Sequence, residues 1–341
     1  MTKILSVIIP SYNMEDYLQK CLDSLILNDK KQMEMLDVLV INDGSTDATS
    51  SIAHRYQARY PGIFRVIDKG NGHYGSCVNR GLSEARGKYV KILDADDWFQ
   101  SGALGKLLTI LSTSDVDMVI TNYNIINGLG KIKKKKSFDL PKDKELKIDD
   151  FCTSDSFVKF QMHAVTYKRS KLIVNNYIQT EGVAYTDQEW IFMPITYMDT
   201  FIYSPITLYQ YLIGREGQSM DSKIKVIKTW VSFDLLFKRN AVFHSLEDSE
   251  VVSKNKKTYL EKKLKSSVTK LYRNGIIFKM VDGETLRNYD ERLKSEDRTL
   301  YDYVENVPDK KLFGLRYVYY WRKTGHANFL TSIWGFLLRL L

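Results

Sequence analysis

The sequence predicts an α/β domain built on a mainly parallel sheet with helices on both faces, followed by a mainly helical C-terminal region. Two patterns carry this expectation. Over the first 125 residues, short runs of Val, Ile and Leu alternate with stretches whose apolar residues recur at helical spacing. Strands that are apolar throughout are buried on both faces, which a helix-covered parallel sheet provides. Beyond about residue 222 the strand runs stop and a lysine- and aromatic-rich helical pattern takes over. A boundary is therefore expected near 220. It divides the chain into 1–220, with halves 1–125 and 126–220, and 221–341.

The elements follow in order. Leu5 to Ile9 is a buried-strand run ending at Pro10. Tyr17, Leu18, Cys21, Leu22, Leu25 and Ile26 then recur at helical spacing, with Asn13 as the expected N-cap and Glu15 and Asp16 in the first turn. Leu36 to Ile41 is a second strand, stopped by the turn Asn42-Asp43-Gly44-Ser45-Thr46-Asp47, which leads into a helix to about 60. Phe64 to Ile67 is a third. A glycine-rich loop, Gly70 to Gly75, opens a helix to about Arg86. Tyr89 to Leu93 and Asp117 to Asn122 are the fourth and fifth strands. From 128 to 150 the pattern dissolves around the basic run Lys131-Ile132-Lys133-Lys134-Lys135-Lys136, which reads as a solvated loop or hairpin tip. Ile202 to Ile213 alternates like a strand.

Composition narrows the function classes. With 44% hydrophobic residues the chain can bury a substantial core. A net charge of +9 favours anionic partners: nucleic acid, an anionic membrane surface, or phosphate-bearing small molecules. The basic residues are scattered or sit in one lysine run, without a nucleic-acid module, so nucleic acid is not expected. Cys21, Cys77 and Cys152 form neither a disulfide framework nor a metal knuckle, which suits a reducing cytosol. No signal peptide or membrane span is expected.

The most informative stretch is KILDADDW, residues 91–98. Asp94, Asp96 and Asp97 follow directly on a buried strand. An N-cap would use one of them, worth ~1 kcal/mol. Three carboxylates at that spacing raise one another's pKa unless a cation neutralises them. Hard divalent ions take carboxylate oxygens and share their shell with substrate phosphates. Sheets of this type bind ligands at the carboxyl ends of their strands. There Tyr12 and Asn13, Asp43, and Asp94 to Asp97 should converge.

SVIIPSYN at 6–13, INDGSTD at 41–47, NGHYGSCVNRGLSEARGKYVKILDADDW at 71–98 and YTDQEW at 185–190 together resemble family 2 glycosyltransferases of the GT-A fold, over about residues 1–220. The resemblance implies an inverting transferase that moves one sugar from a nucleotide diphosphate, usually UDP, to a glycan. It implies that Pro10, Tyr12 and Asp43 hold the nucleobase and that Asn79 makes a further nucleotide contact. It also implies that Asp94 lies near the ribose or donor sugar, and that Asp94 and Asp96 hold Mn²⁺ or Mg²⁺ on the diphosphate. Similar sequences carry Ala-Arg-Asn where this one has Cys77-Val78-Asn79. Lys69, Arg80 and Arg86 are candidates to supply the missing charge.

Inverting transfer needs a general base on the acceptor hydroxyl. The resemblance implies Asp187, with Glu189 as the alternative. His163 can contact the acceptor, complete a metal shell, or be structural. Arg215, in GREGQSM, is a candidate clamp on the diphosphate. The run FLTSIWGFLLRLL, 329–341, is too short to span a bilayer. It suits docking in the protein or a homodimer partner, or peripheral membrane attachment aided by Arg316, Arg322, Lys323 and Arg339. The family's bacterial members imply a polyprenyl-diphosphate-linked acceptor, and with it a cytoplasmic protein at the inner face of the membrane. The Gln-x-x-Arg-Trp motif of processive synthases is absent, which favours one sugar per encounter. Two other classes stand against this reading. A sugar nucleotidyltransferase would carry a glycine-rich basic signature after the first strand, which PSYNMEDY lacks. A non-enzymatic nucleic-acid-binding protein has only the charge in its favour.

Overall fold

A computed structural model describes residues 2–214, 222–308 and 314–325. The chain divides into two compact units, residues 1–216 and 217–341. In the first unit the order is β1 (Leu5–Ser11), α1 (Leu18–Asp23), α2 (Lys30–Glu34), β2 (Leu36–Asp43), α3 (Thr49–Arg59), β3 (Phe64–Lys69), α4 (His73–Glu84), β4 (Tyr89–Ile92), β5 (Trp98–Phe99), α5 (Ala103–Thr113) and β6 (Met118–Asn127). There follow β7 (Ile132–Lys136), β8 (Glu145–Lys147), α6 (Ile148–Phe151), α7 (Asp155–Val158), a 3₁₀ turn Met162–Ala164, β9 (Val165–Lys168) and α8 (Arg169–Val174). A 3₁₀ helix Thr186–Ile191, α9 (Pro194–Tyr197) and β10 (Thr200–Ile213) complete the unit.

All ten strands join one sheet in the order β3-β2-β1-β4-β9-β6-β10-β5, with β7 on β6 and β8 on β10. The expected parallel half is β3-β2-β1-β4, with β1, β2 and β4 buried along their lengths except at Pro10. The rest is mixed. β9 runs antiparallel between β4 and β6, while β10 runs parallel to β6, with the register shifting between Ser204 and Tyr209. The basic run 131–136, expected as a solvated loop or hairpin tip, belongs to a hairpin, with Ile132–Lys136 as its second strand, antiparallel to β6. Its lysines are largely exposed, so it stays legible only through backbone pairing.

Asn13 does not cap the first helix, which starts later, at Leu18. Its backbone is left-handed, with φ of 52°, and its side chain accepts from the Thr46 amide at 2.9 Å. Ser45 Oγ accepts in return from the Asn13 amide, and Glu15 accepts from the Ala48 amide at 2.8 Å. The residues after β1 therefore lace onto the turn after β2.

At the amino edge of the sheet Asp37 is fully buried. Its carboxylate accepts from Ser6 Oγ at 2.6 Å, Arg65 Nε at 2.8 Å and the Arg86 amide at 2.9 Å. The Arg86 side chain itself is exposed.

In the second unit α10 (Ser222–Ser245), α11 (Lys254–Tyr272), α12 (Gly283–Glu296), α13 (Arg298–Asn306) and α14 (Tyr317–Thr324) pack around residues that include Phe233, Tyr259, Val268, Tyr272 and Trp321. Arg322, expected to help bind a membrane, is instead internal. Its guanidinium pairs with Asp290 at 2.6 Å and Glu305 at 2.9 Å and lies over the Tyr301 ring. A cation held by two carboxylates has no charge to offer a lipid. No helix among the described residues is long and apolar enough to cross a membrane. The 329–341 run lies outside the described residues.

Truncating Asp37 strands the Arg65 charge and the donors around it. Asp37→Ala is expected to lower the unfolding free energy by about 3 kcal/mol, read by urea denaturation. A loss below about 1 kcal/mol would mean that the buried pair contributes little.

Candidate active site

The strand order runs outward from β1 in both directions, which opens a crevice at the carboxyl ends of β1 and β4. Pro10 pairs with Ile41 at the rim, and Tyr12 follows with 47% of its surface exposed, so its ring face is available. Asp43 closes β2 and is buried. It is held by the Lys69 ammonium and by the Gly72 amide at 3.0 Å. Of the three cations considered for the missing arginine, only Lys69 is placed here. Arg80 pairs with Glu84 on the outer side of α4, at 2.9 Å.

The 94–97 segment is a tight turn, closed by the Asp97 amide donating to the Asp94 carbonyl at 2.9 Å. A turn of this kind brings its first and fourth residues together. Asp97 is 1% exposed. Its carboxylate accepts from Tyr209 Oη and from the Leu212 amide, both at 2.7 Å. Tyr209 Oη also accepts from the Asp94 amide at 3.1 Å, so one tyrosine holds both ends of the turn. Burial first, then the charges of Asp96 and Asp94, push the Asp97 carboxyl well above its ordinary range. Asp94 Oδ1 accepts from Tyr74 Oη at 2.8 Å, which ties the glycine-rich loop to the acid turn.

Beneath the turn lies Lys91, fully buried. Its ammonium donates to the carbonyls of His163 and Val165 at 2.8 and 3.0 Å. It thereby fixes the 3₁₀ turn that carries His163. Burial lowers its pKa to about 7. The His163 ring packs among Tyr123, Tyr209 and Tyr211.

Asp94, Asp97 and His163 each bring a ligand atom within 4.8 Å of the other two. His163 Nδ1 is buried without a hydrogen-bond partner among the described residues, so the imidazole has a nitrogen to give. Two carboxylates suit Mg²⁺ or Mn²⁺, and the imidazole tilts the set away from Mg²⁺, which prefers all-oxygen shells. The donor set fits a divalent cation. Asp96, expected as a ligand beside Asp94, is not part of this group. Asp97 is the acid that joins Asp94 and His163 in it, while the charge of Asp96 acts on the Asp97 carboxyl from beside the group.

Asp187 sits in the 3₁₀ helix Thr186–Ile191, half-buried, with Gln188 Nε2 on its Oδ2 at 3.1 Å. Its charge acts on the Tyr74 and Tyr211 hydroxyls together with those of Asp94 and Asp97. The chain thus brings Asp187 to the acid turn. Glu189 is engaged elsewhere. Its two oxygens accept from the amide and the hydroxyl of Thr180, at 2.7 and 2.8 Å. Asn79 is likewise taken: it exchanges hydrogen bonds with the Gln179 backbone at 2.8 and 2.9 Å and donates to Glu181 at 2.8 Å. Both residues clamp the segment that leads to Asp187. Gly75 allows that clamp, since a Cβ there would lie 1.9 Å from the Thr180 carbonyl oxygen. Arg215 lies outside the described residues.

The strand order and the acid turn at the crevice define an α/β domain of the GT-A class. Residues 6–172 match the profile of Glycosyl transferase family 2, and the chain carries a glycosyltransferase domain of that family. The Streptococcus pneumoniae glycosyltransferase GlyA is 35% identical over 123 residues, 36% of this chain and 17% of that one. The poly(ribitol-phosphate) beta-glucosyltransferase of Bacillus spizizenii is 26% identical over 220 residues, 63% of this chain and 33% of that one. Such matches span 17% to 42% of the curated relatives' own lengths. Among solved structures, S. aureus TarS 1–349 in complex with UDP-GlcNAc superposes with a TM-score of 0.70 at 19% identity, covering 99% of this chain and 92% of that one. The mannosyltransferase PcManGT of Pyrobaculum calidifontis, in complex with GDP-Man and Mn²⁺, gives 0.51 at 15% identity, covering 88% and 84%. At these identities the likeness is one of fold.

Sequence reasoning missed Tyr209 and Lys91. For Lys91 a signal existed: a lysine inside the otherwise apolar strand YVKI must find partners when buried. Tyr209 carried none, because an aromatic residue in an alternating strand reads as core.

Burial, with Lys91 adding to it, lowers the His163 pKa from 6.5 to about 3. Between those values the unfolded chain binds a proton that the folded chain refuses. Stability therefore falls as pH drops below 6.5, with a limiting slope of about 1.4 kcal/mol per pH unit. Urea denaturation at pH 7 and pH 5 should show a smaller acid loss for His163→Gln than for the parent protein. Equal losses would remove His163 from the acid response.

Proposed function

We propose that the protein moves one sugar from a UDP-sugar to a hydroxyl of a glycan or lipid-linked glycan, with inversion and with the help of a divalent cation. The observation that carries this reading is the convergence of Asp94, Asp97 and Asp187 beside a crevice rimmed by Tyr12 and Asp43. It draws support from the UDP and UDP-GlcNAc bound in the TarS structures and from the poly(ribitol-phosphate) substrate in a relative's name.

Each residue then has a task. The exposed Tyr12 ring stacks on the base, and Asp43 accepts from a base N–H. Lys69, already on Asp43, lies within reach of the donor's negative charge. Asp94, Asp97 and His163 would hold the cation. When bound, the cation neutralises the charge that develops on the leaving diphosphate. Tyr74 donates to Asp94 Oδ1 and so fixes the orientation of that carboxylate. Asp187 is the general base. Gln188 holds its Oδ2, so Oδ1 takes the acceptor proton. Because Glu189 is committed to Thr180, it has no such role. The acceptor class extends to glycans on a polyprenyl diphosphate, which would put the protein on the inner face of the membrane.

Calorimetric titration of UDP, with GDP and ADP as controls, is expected to show binding that depends on Mn²⁺. Absence of binding for every nucleotide, with or without metal, would overturn the reading. Asp187→Asn should keep UDP binding and lose transfer by about 10²-fold or more. Transfer undiminished in that variant would take the base role from Asp187.

A further inference from the structure

Tyr209 and Gln210 are consecutive in β10, so their side chains leave the sheet on opposite faces. Tyr209 turns to the acid turn. Gln210 turns to a cavity of about 310 Å³, lined by Gln100, Asn124, Ile132, Lys135, Thr207 and Gln210. Three strand positions meet there in cross-strand register, with a fourth residue beside them. Gln210 pairs with Asn124 on β6, and Asn124 with Lys135 on β7, while Gln100 follows β5 and donates its amide to the Leu208 carbonyl.

The side chains form a directional row. Asn124 Nδ2 donates to Gln210 Oε1 at 2.9 Å, and Gln210 Nε2 reaches Gln100 Oε1 at 3.4 Å. Asn124 and Gln210 are 5% and 6% exposed. Asn124 Oδ1 ends the row, buried and without a hydrogen-bond partner among the described residues. Reversing the amides would leave an N–H unmatched instead, so the row closes only on an outside group. An unpaired buried polar atom is costly, and a ligand hydroxyl that displaced the row enough to meet it would offset that cost.

We propose that this cavity is a second binding site, for a hydroxyl-rich, anionic segment of glycan. The amides match sugar hydroxyls, which both donate and accept. Ile132 offers a sugar ring an apolar face. Lys135, in a strand whose other lysines are also largely exposed, offers charge to a carboxylate or phosphate of the repeat. The site lies across the sheet from the acid turn and needs neither nucleotide nor cation. Only its purpose, keeping a growing acceptor on the enzyme, rests on the transfer reading.

The test is binding by the full chain without donor or metal. The probes are fluorescent tetramers of galacturonate and of glycerol phosphate, with maltotetraose as the neutral control. Whichever anionic tetramer binds names the anion. Lys135→Glu, an exposed change, should weaken that binding about tenfold, as should Asn124→Leu, with UDP binding unchanged. Lys106→Glu, on an exposed position of α5, should leave it intact. The proposal falls if neither anionic tetramer binds at millimolar concentration or if maltotetraose binds as well. It falls too if Lys106→Glu weakens binding as much as Lys135→Glu does, or if an RNA tetramer binds more tightly than either glycan. A glycan site that survives while UDP fails to bind would overturn the transfer reading and leave this one standing.

Discussion

The Asp97 carboxylate is almost wholly removed from water, and it stays there because Tyr209 Oη and the Leu212 amide both donate to it. A buried acid next to two others carries a heavy desolvation and repulsion cost. Two good donors offset part of that cost, and the hydroxyl that gives one of them also accepts the Asp94 amide. The acid turn is therefore held by β10, a strand more than 100 residues downstream. Further contacts gather around it: Tyr74 reaches Asp94, Lys91 seats the turn carrying His163, and His163 packs against Tyr209.

A second set of contacts delivers Asp187. The segment from Gln179 to Glu189 has little regular structure before its 3₁₀ helix, yet it is pinned at several points. Asn79 and Thr180 hold its start, and Gln179 Nε2 donates to the Thr186 carbonyl and hydroxyl at 2.6 and 2.9 Å. Tyr185, just before the helix, has a φ of 67°, a conformation that costs a non-glycine residue of order 1 kcal/mol or more. That strain persists because the flanking bonds over-determine the backbone. The polar residues around Asp187 thus act as a frame, and its carboxylate is held only by the Gln188 amide at Oδ2 among the described residues.

The net charge of +9 acquires a more local meaning once partners are assigned. Lys69 and Lys91 serve the crevice, Arg65 serves Asp37, and Arg322 is neutralised inside the second unit. The lysines of β7 remain a concentrated exposed set, beside a polar cavity rather than on a free loop. A bulk excess of lysine and arginine suggests anionic ligands in general. Pairing decides which of those charges a ligand can meet.

Much of this protein was legible from residue order alone. Runs such as Ser6 to Ile9 and Leu36 to Ile41 specify strands, and the acids and glycines that stop them mark the ligand edge. The crevice and the positions of Tyr12, Asp43 and Asp94 follow from local pattern and the geometry of parallel sheets. Three things did not. Ile132–Lys136 reads as a loop or hairpin tip because its pairing lies in the backbone, not in its exposed side chains. Asn79 reads as a nucleotide contact and Glu189 as the alternative base, yet both bond to the 179–181 segment, a partner that no local pattern announces. Asp96 and Asp97 are equal in sequence, and only Tyr209 and Leu212 decide which is drawn beside Asp94. A sequence determines which residue types stand at a strand's end. Which of their polar atoms stay free depends on contacts between positions far apart in the chain, and those exist only once the sheet has closed.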